Sequence, residues 1–359
     1  MQSVGIITLP GRFNYGNRLQ NYATQRVLES CGLESHTLVW DSRPNPVESL
    51  KNVARRVLGK RAGRPEDWMD TERLAAFDRF NERIRFDYVG TITADVATHY
   101  DWFGVGSDQV WNPNFIQGYE DVYLLDFARR EQRVALAASV GVTALKRGEQ
   151  RRFGGAWKAF SKLSVRERAG ANLVAEASGR APTVLCDPTL AIGRTEWESV
   201  ASDVVNPRRP YVMSYLLGEA DAWRTRLVDG LARRYGAQVR ALSQGQDGTQ
   251  LPAGPAEFVG LIAGARHVVT DSFHAAVFAS LFERPLTIVQ RRESGPSMFC
   301  RMDTLSEKLE LQGKIILEGQ EPDLDAAADY AGVAERIAAE QEAFRGFVRG
   351  CCELIGSSL

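Results

Sequence analysis

Short apolar runs, each followed by a turn-rich segment and an amphipathic stretch, recur along the chain. Residues 4–9 predict a buried strand that runs into turn-forming residues at 10–17. Leu19 and Tyr22 mark the apolar face of the helix that follows, and residues 35–40 predict the next strand. Because this succession is typical of a parallel sheet with helices on its faces, it predicts a doubly wound α/β domain.

The same alternation continues and divides the chain into two units. The first unit spans residues 1–190, and its further predicted strands lie at 102–105, 133–138, 163–167 and 183–185. Glycine and prolines make 191–209 a predicted linker. The second unit spans 210–325, and its predicted strands lie at 211–216, 238–242, 267–270 and 285–289. The segment 326–359 predicts a last helix, at about 326–350, which is compatible with a return to the first domain.

Residues 43–80 are predicted to be helical and rich in charge. Seven basic residues run through the segment before the acidic ones: Arg43, Lys51, Arg55, Arg56, Lys60, Arg61 and Arg64. The run is interpreted as a solvated helical face. The alternative is a patch that meets a phosphorylated or lipid-linked acceptor, with peripheral contact to a membrane.

The overall charge narrows the classes of function. The net charge of −1 gives no global field that would attract nucleic acid or an anionic membrane. Apolar residues make up 44% of the chain and charged residues 25%, which is an ordinary soluble balance. Recognition of an anion would therefore be local, and no nucleic-acid partner is expected.

The cysteines predict neither a metal site nor a disulfide framework. They are scattered, and only the last two are adjacent: Cys31, Cys186, Cys300, Cys351 and Cys352. The N-terminus lacks the apolar core of a signal peptide, and no stretch approaches the roughly 20 apolar residues of a membrane span. The sequence predicts a soluble cytoplasmic protein without a metal, and it predicts no particular oligomeric state.

The segment from Thr270 to His274 is the strongest single feature. It lies between a β-branched strand and a helix predicted to start near Ala275, and Ser272 is its candidate N-cap. Unpaired N–H groups and the positive end of the helix dipole make such a position an anion site. An imidazole there can meet a phosphate and exchange a proton near pH 7. The alternative is that the turn only caps the helix and His274 packs nearby.

Arg166 ends another predicted strand and is the candidate cation of the site. A guanidinium at a strand end can hold a carboxylate or phosphate through two parallel hydrogen bonds. The alternative is a local ion pair with Glu167 or another carboxylate.

Two loops are candidates for binding a sugar. The loop with Asn14, Tyr15 and Asn17 precedes the first helix, and it matches neither the dinucleotide fingerprint nor the Walker phosphate loop. The alternative for this loop is simple turn chemistry.

The second candidate loop follows the strand at 102–105. Ser107, Asp108 and Gln109 supply groups that suit sugar hydroxyls, and Asp108 is a candidate base. Trp111 can stack on a pyranose ring or act as a buried aromatic anchor. Asp187 is interpreted as the end of a strand rather than as a functional group.

Six segments in the same order resemble the polysaccharide pyruvyl transferase family. They are Asn14 to Tyr22, Gly106 to Asn112, Ala137 to Gly141, Ser164 to Glu167, Asp187 to Leu190 and Thr270 to His274. The resemblance implies a fold like the GT-B glycosyltransferases, with two Rossmann-like domains facing a cleft that holds the active site. It also implies phosphoenolpyruvate as donor and co-substrate, a sugar acceptor on a lipid, nucleotide or small-molecule carrier, and no cofactor.

The resemblance also carries roles to single residues. It implies that His274 and Arg166 serve the donor, with Phe273 offering its backbone N–H, and it places Arg301 at a later arginine of the family. Ser272 completes the expected donor site, and Ala275 and Ala276 stand where many members have glycine and a small polar residue.

Two other functions remain as alternatives from the sequence. One is a glycosyltransferase of the same fold that uses a nucleotide sugar, for which Glu293 is the candidate ribose-binding acid. The other is a non-catalytic glycan-binding protein.

Overall fold

The computed structural model describes residues 1–41, 69–218, 221–242, 251–290 and 299–356. The strands are β1 (Ser3–Ile7), β2 (Glu34–Trp40), β3 (Phe86–Gly90), β4 (Trp102–Val105), β5 (Arg133–Ala135), β6 (Ser164–Val165), β7 (Thr183–Val184), β8 (Tyr211–Tyr215), β9 (Gln238–Ala241), β10 (His267–Thr270), β11 (Leu286–Val289) and β12 (Ile315–Ile316).

The helices alternate with these strands, as the sequence pattern predicts. They are α1 (Tyr15–Ser30), α2 (Thr71–Asn81), α3 (Glu120–Tyr123), α4 (Arg147–Trp157), α5 (Arg168–Ser178), α6 (Pro188–Ala191), α7 (Arg194–Val200), α8 (Ala222–Arg234), α9 (Pro255–Gly264), α10 (Phe273–Leu281), α11 (Cys300–Leu309), α12 (Leu324–Ala328) and α13 (Val333–Gly356). The predicted basic run at 43–64 and Glu293 lie outside the described residues.

The first sheet is parallel and has the strand order β3-β2-β1-β4-β5. Backbone hydrogen bonds extend it to β6: Ala135 donates to Lys162, Ala138 donates to Ser164, and Arg166 donates to Ala138. β6 pairs in parallel with β7. The strand order reverses between β1 and β4, so a crevice opens at their carboxyl ends, where open α/β sheets bind ligands.

The second sheet is also parallel and has the order β9-β8-β10-β11-β12. Its order reverses between β8 and β10, which gives a second crevice at their carboxyl ends. The two sheets confirm the prediction of two Rossmann-like domains. The pattern missed β3, whose residues are only half-buried, and β12, which has two residues.

Aromatic side chains connect the two lobes. Tyr15 of the first lobe stacks on Phe258 of the second at 4.8 Å between ring centroids, and its hydroxyl donates to the carbonyl of Ala253 at 2.6 Å. The segment predicted as a linker contains α7, and its fully buried Trp197 packs edge-on against Phe278. One continuous apolar core therefore includes residues of both lobes.

The C-terminal helix α13 lies against the first lobe. Gln341 donates hydrogen bonds to the carbonyls of Leu190 and Ile192, and Gln2 of the first lobe donates to the carbonyl of Cys352 at 3.3 Å. Lys308 of the second lobe pairs with Glu340 on the same helix at 2.7 Å. The helix begins at Val333, later than predicted, because α12 and a turn precede it. Across the described ranges, no helix combines the length and the apolar character needed to cross a bilayer.

His267 in β10 makes the stability of the second lobe depend on pH. Its buried ring lies 2.8 Å from Thr287 Oγ1 and 3.2 Å from the Tyr235 hydroxyl. Burial, with a smaller effect of Lys314, lowers the pKa of His267 from 6.5 to about 4. The unfolded chain therefore binds a proton at higher pH than the folded protein does, and the free energy of unfolding falls as the pH drops through this window.

We predict that acidification from about pH 7 to about pH 5 destabilises the wild type more than a His267→Gln variant. Each pKa unit corresponds to about 1.4 kcal/mol, so His267 accounts for about 3 kcal/mol between its unfolded and folded pKa values and for about 2 kcal/mol of this between pH 7 and pH 5. Urea denaturation of both proteins at the two pH values measures the difference. Equal pH dependence in the two proteins would contradict the assignment.

Candidate active site

The crevices of the two lobes face each other across one cavity of about 270 Å³. Residues from the loops after β1 and β4 line one side, and residues from the loops after β8 and β10 line the other. The first set includes Asn14, Tyr15, Gly16, Asn17, Asp108 and Gln109, and the second includes Leu217, Ser272, Phe273 and His274, with Arg301 from α11. The cleft between the lobes therefore gathers most of the predicted residues; Ser107, Trp111 and Arg166 do not line it.

The loop before α1 is shaped by its own hydrogen bonds. The side chain of Asn14 accepts from the backbone N–H of Asn17 and caps α1. The amide of Asn17 in turn donates to Asp108 Oδ2 at 3.3 Å. Gly16 lies against the other lobe, because a Cβ on it would come within 2.1 Å of His274 Nδ1. The glycine is needed here for close approach rather than for an unusual backbone angle.

Arg166 is the charged centre of the site, and it lies behind the cavity wall rather than on its surface. Its side chain is 1% exposed and bonds two carboxylates, Asp187 through Nη1 and Asp108 through Nη2 at 3.3 Å. Burial alone would lower the pKa of Arg166, but the two carboxylates outweigh it and raise that pKa. The predicted alternative, an ion pair between Arg166 and Glu167, does not form. Glu167 instead accepts hydrogen bonds from the N–H groups of Val140 and Gly141.

The two carboxylates beside Arg166 stay ionised despite their burial. Burial opposes this, but the attraction of Arg166 holds the pKa of Asp187 below its ordinary value. The same balance, with help from His274 and Arg301, lowers the pKa of Asp108. Asp187 also accepts from the backbone N–H and the hydroxyl of Thr189, so it caps α6 at the same time.

His274 comes from the opposite lobe and meets this ion network. Its Nε2 lies 3.8 Å from Asp187 Oδ2, too far for a hydrogen bond, and has no hydrogen-bond partner among the described residues. Burial lowers the pKa of His274, and Arg166 adds to this effect while Asp187 opposes it. The imidazole is therefore neutral at pH 7 in the empty site, and an incoming anion would raise its pKa.

The start of α10 and Arg301 supply the groups that suit an anion. No side chain caps this helix in the described part of the chain, and Ser272 at the N-cap position makes no capping hydrogen bond. Two guanidiniums lie near the Phe273 ring, that of Arg166 at 4.9 Å and that of Arg301 at 6.0 Å from the ring centroid. Burial, with the nearby charge of Arg166, lowers the pKa of Arg301. Arg301 thus presents a partly desolvated positive charge to the cavity.

Three of the residues expected to bind the acceptor are engaged elsewhere. Trp111 is fully buried, and its indole N–H donates to the carbonyl of Tyr123, so the structure favours the buried-anchor interpretation. The Ser107 hydroxyl donates to the carbonyl of Ala137 and is also fully buried. Tyr15 lines the cavity, but its hydroxyl donates a hydrogen bond to the carbonyl of Ala253 in the other lobe. Gln109, which accepts from Asn112, lines the cavity.

Asp187 is the site residue that sequence reasoning undervalued. The pattern Asp-Pro after a strand indicates a helix start, and Asp187 does cap α6. Its second role depends on Oδ2, which faces both Arg166 and His274. One feature of the sequence indicated this second role: an Asp at the carboxyl end of a parallel strand lies at the same edge of the sheet as the other ligand-binding loops.

No group of three His, Cys, Asp or Glu side chains within the described ranges has the spacing to hold a metal ion.

Comparison with known proteins identifies the family. The sequence profile of the polysaccharide pyruvyl transferases matches residues 14–291. Among solved structures, the chain is similar to a protein assigned as a UDP-N-acetylglucosamine 2-epimerase in Listeria monocytogenes, with 11% identity, a TM-score of 0.54 and coverage of 97% of this chain and 94% of that one. A UDP-GlcNAc 2-epimerase from Neisseria meningitidis, bound to UDP-GlcNAc, has 9% identity, a TM-score of 0.47 and coverage of 99% and 100%.

A search of curated proteins gives no significant match. The two lobes and the cleft between them define an α/β protein of the GT-B-like architecture. Because the family profile covers most of its length, the chain belongs to the polysaccharide pyruvyl transferase family.

We predict that Gly16→Ala disturbs the contact between the lobes. The added methyl would collide with the His274 ring, and overpacking of this kind typically costs about 1–3 kcal/mol of stability. Chemical denaturation measures the loss, and the NMR signals of the His274 ring report its displacement.

Gly155→Ala is the matched control for this variant. Gly155 also lies in a helix, α4, but a Cβ there meets no atom within 4 Å. Alanine should therefore raise stability by about 0.5–1 kcal/mol through helix propensity. A Gly16→Ala protein as stable as this control, with unchanged His274 signals, would contradict the close approach.

Proposed function

We propose that the protein transfers the pyruvyl group of phosphoenolpyruvate to two hydroxyls of a sugar, forming a cyclic ketal and releasing phosphate. Membership of the pyruvyl transferase family supports the reaction class. The observation that carries the proposal is the convergence of His274, Arg301 and the uncapped start of α10 on one small cavity. Its volume of about 270 Å³ lies just below the range typical for drug-sized ligands, which suits a small phosphorylated acid.

The donor site combines fixed dipoles with one guanidinium. The N–H groups of the first turn of α10 would face the phosphate of the donor. Arg301 would hold the carboxylate or the phosphate through charge-assisted hydrogen bonds. Ser272 and Phe273 line this end of the cavity, and the Phe273 ring packs against the Arg166 guanidinium.

His274 is the proposed general acid. It is neutral in the empty site, and the negative charge of the bound phosphate would raise its pKa and load it with a proton. That proton goes to C3 of the donor, C2 becomes oxocarbenium-like, and the first sugar hydroxyl attacks C2. Phosphate leaves as the C–O bond breaks, and the second hydroxyl closes the ketal. The two sugar hydroxyls release two protons. One returns to His274 in place of the proton given to C3, and the other leaves with phosphate.

Asp108 is the proposed acceptor for the hydroxyl protons. It lines the cavity opposite His274 and is ionised, because Arg166 lowers its pKa. In this arrangement Arg166 acts as a positioning residue, since both of its terminal nitrogens are held by carboxylates. Its Nε has no hydrogen-bond partner among the described residues, but Arg166 does not line the cavity, so we assign it no direct contact with the donor. Asn14, Asn17 and Gln109 would contact the acceptor beside Asp108.

We predict that His274→Gln lowers the rate of phosphate release from phosphoenolpyruvate by about 10²–10⁴, the usual contribution of a general acid. The assay uses a panel of sugar acceptors, and mass spectrometry detects acceptors that have gained a pyruvyl ketal. His99→Gln is the matched control, because His99 is exposed and does not line the cavity. Wild-type turnover in His274→Gln would show that this residue has no part in the chemistry.

Tight binding of nucleotide sugars without any pyruvyl transfer would favour the alternative function, a glycosyltransferase, instead.

We predict that Asp187→Asn shifts the pH profile of turnover toward lower pH. Asp187 raises the pKa of His274, and its loss also leaves the charge of Arg166 less balanced, so both effects make the imidazole harder to protonate. The asparagine retains an oxygen that can cap α6, so the substitution should disturb the structure little. The shift is measured from the dependence of kcat on pH between acid and neutral pH. A uniform loss of rate without a shift would show that Asp187 acts only in the structure.

A further inference from the structure

A second and larger cavity adjoins the active site within the first lobe. Its volume is about 1,000 Å³, and it lies between β2, the end of α2 and the segment that leads into α3. Leu9 and Phe115 line both cavities, so the two are neighbours that share a wall. The larger cavity is not needed for a donor as small as phosphoenolpyruvate.

The wall of this second cavity carries a buried guanidinium. Arg18 is 3% exposed and lines the cavity. Its Nε and Nη2 donate to Asn17 Oδ1, and Nη2 also reaches the carbonyl of Leu9 at 3.4 Å. Among the described residues, no hydrogen bond occupies its Nη1. One edge of the guanidinium fork is therefore available to a ligand in the cavity.

The charge of Arg18 is only partly offset, because Asp108 attracts it from beyond ion-pair distance and Arg12 opposes this effect. Burial lowers its pKa to about 10, which still leaves it charged at pH 7. Arg166 has two carboxylates in direct contact, whereas Arg18 has none within ion-pair distance in the described part of the chain. A buried charge without a counter-charge in direct contact is costly, so the site favours the arrival of an anion.

A second polar group of this cavity also lacks a partner. Asn81, at the end of α2, lines the cavity, and neither its amide nitrogen nor its amide oxygen forms a hydrogen bond. Buried polar groups are normally satisfied, so this amide indicates a polar ligand or bound water. Part of the remaining wall is aromatic, with Trp40, Phe86 and Tyr119. The rest is aliphatic or polar and includes three charged residues, Arg12, Asp78 and Glu82, of which Arg12 pairs with Asp78. The Phe86 ring lies 5.7 Å from the Arg18 guanidinium.

One side chain connects the second cavity with the proposed chemistry. Asn17 accepts from Arg18 through its oxygen and donates to Asp108 through its nitrogen. Asn17 and Asp108 both line the active-site cavity. Asn17 therefore lies directly between Arg18 of the second cavity and Asp108 of the first.

We propose that this cavity binds the carrier part of the sugar acceptor and that Arg18 contacts a phosphate that links the sugar to its carrier. The cavity exceeds the needs of one sugar ring, and the aromatic and aliphatic part of its wall suits a nucleobase or an isoprenoid. Sugars are joined to both kinds of carrier through phosphate, which a guanidinium fork binds well. The inference rests on the proposed function, because it assigns the acceptor to that reaction.

The first experiment measures binding without phosphoenolpyruvate, by calorimetry. The probes are glucose, galactose and N-acetylmannosamine, each as the free sugar and as the 1-phosphate, together with glucuronate. A hydrogen bond to a charged group contributes about 1.5–3 kcal/mol, so at least one 1-phosphate should bind about 10- to 100-fold more tightly than its free sugar. UDP-glucose and a polyprenyl diphosphate sugar in detergent then distinguish the two kinds of carrier.

Variants separate this cavity from the donor site. Arg18→Gln should remove most of the advantage of the 1-phosphate while leaving the affinity for phosphoenolpyruvate within about twofold. Arg151→Gln is the matched control, because Arg151 is an exposed arginine of the same lobe. Should Arg18→Gln fail to fold, Val39→Trp serves instead, since Val39 is 40% exposed and lines the cavity. The larger side chain should weaken the binding of the phosphorylated probes and spare phosphoenolpyruvate.

Three results would overturn the proposal. They are equal affinity for every free sugar and its 1-phosphate, a phosphate advantage lost in Arg301→Gln but kept in Arg18→Gln, and glucuronate binding as tightly as the phosphates. The outcome is independent of the reaction itself. If phosphate-dependent binding needs Arg18 but no pyruvyl transfer occurs, the subsite stands and the proposed function fails. If transfer occurs on free sugars without any effect of Arg18, the function stands and the subsite fails.

Discussion

The guanidinium of Arg166, buried between two carboxylates, is the interaction on which the site depends. It joins the loop after β4, which carries Asp108, to the start of α6, which carries Asp187. Removing charges from water is costly unless each charge is paired, so the three groups hold one another in place and stay ionised. This explains how a carboxylate buried beside a cavity can remain able to accept a proton, and why the loops at the sheet edge keep one geometry.

The second lobe completes the site by bringing one imidazole against this ion network. The approach is close enough to require a glycine at Gly16, so the position of His274 is coupled to the contact between the lobes. Burial keeps that imidazole neutral until an anion arrives. In the proposed reaction, the same event that fills the cavity also prepares the acid, which would limit protonation in the absence of a donor.

The two cavities divide recognition between small and large parts of the substrates. The cavity between the lobes has cationic and dipolar groups for a compact anion, and the cavity of the first lobe has a partly aromatic wall with Arg18. Asn17 and Asp108 lie at the boundary between them. The chemistry and the proposed binding of the carrier can therefore vary separately, since different loops and helices supply them.

Local periodicity predicted most of the strands in their succession along the chain, the doubly wound arrangement and the placement of the candidate loops at strand ends, because these depend on neighbours in the chain. It also placed His274 and Asp108 in loops at the carboxyl ends of their strands, where ligands bind. The order of the strands within each sheet came from the structure. Only the tertiary structure decided that Trp111 is a core residue, that Arg166 lies behind the wall, and that Asp187 faces His274. These facts depend on contacts between residues far apart in the chain, and the hydrophobic pattern of one segment carries no information about which segment it will meet.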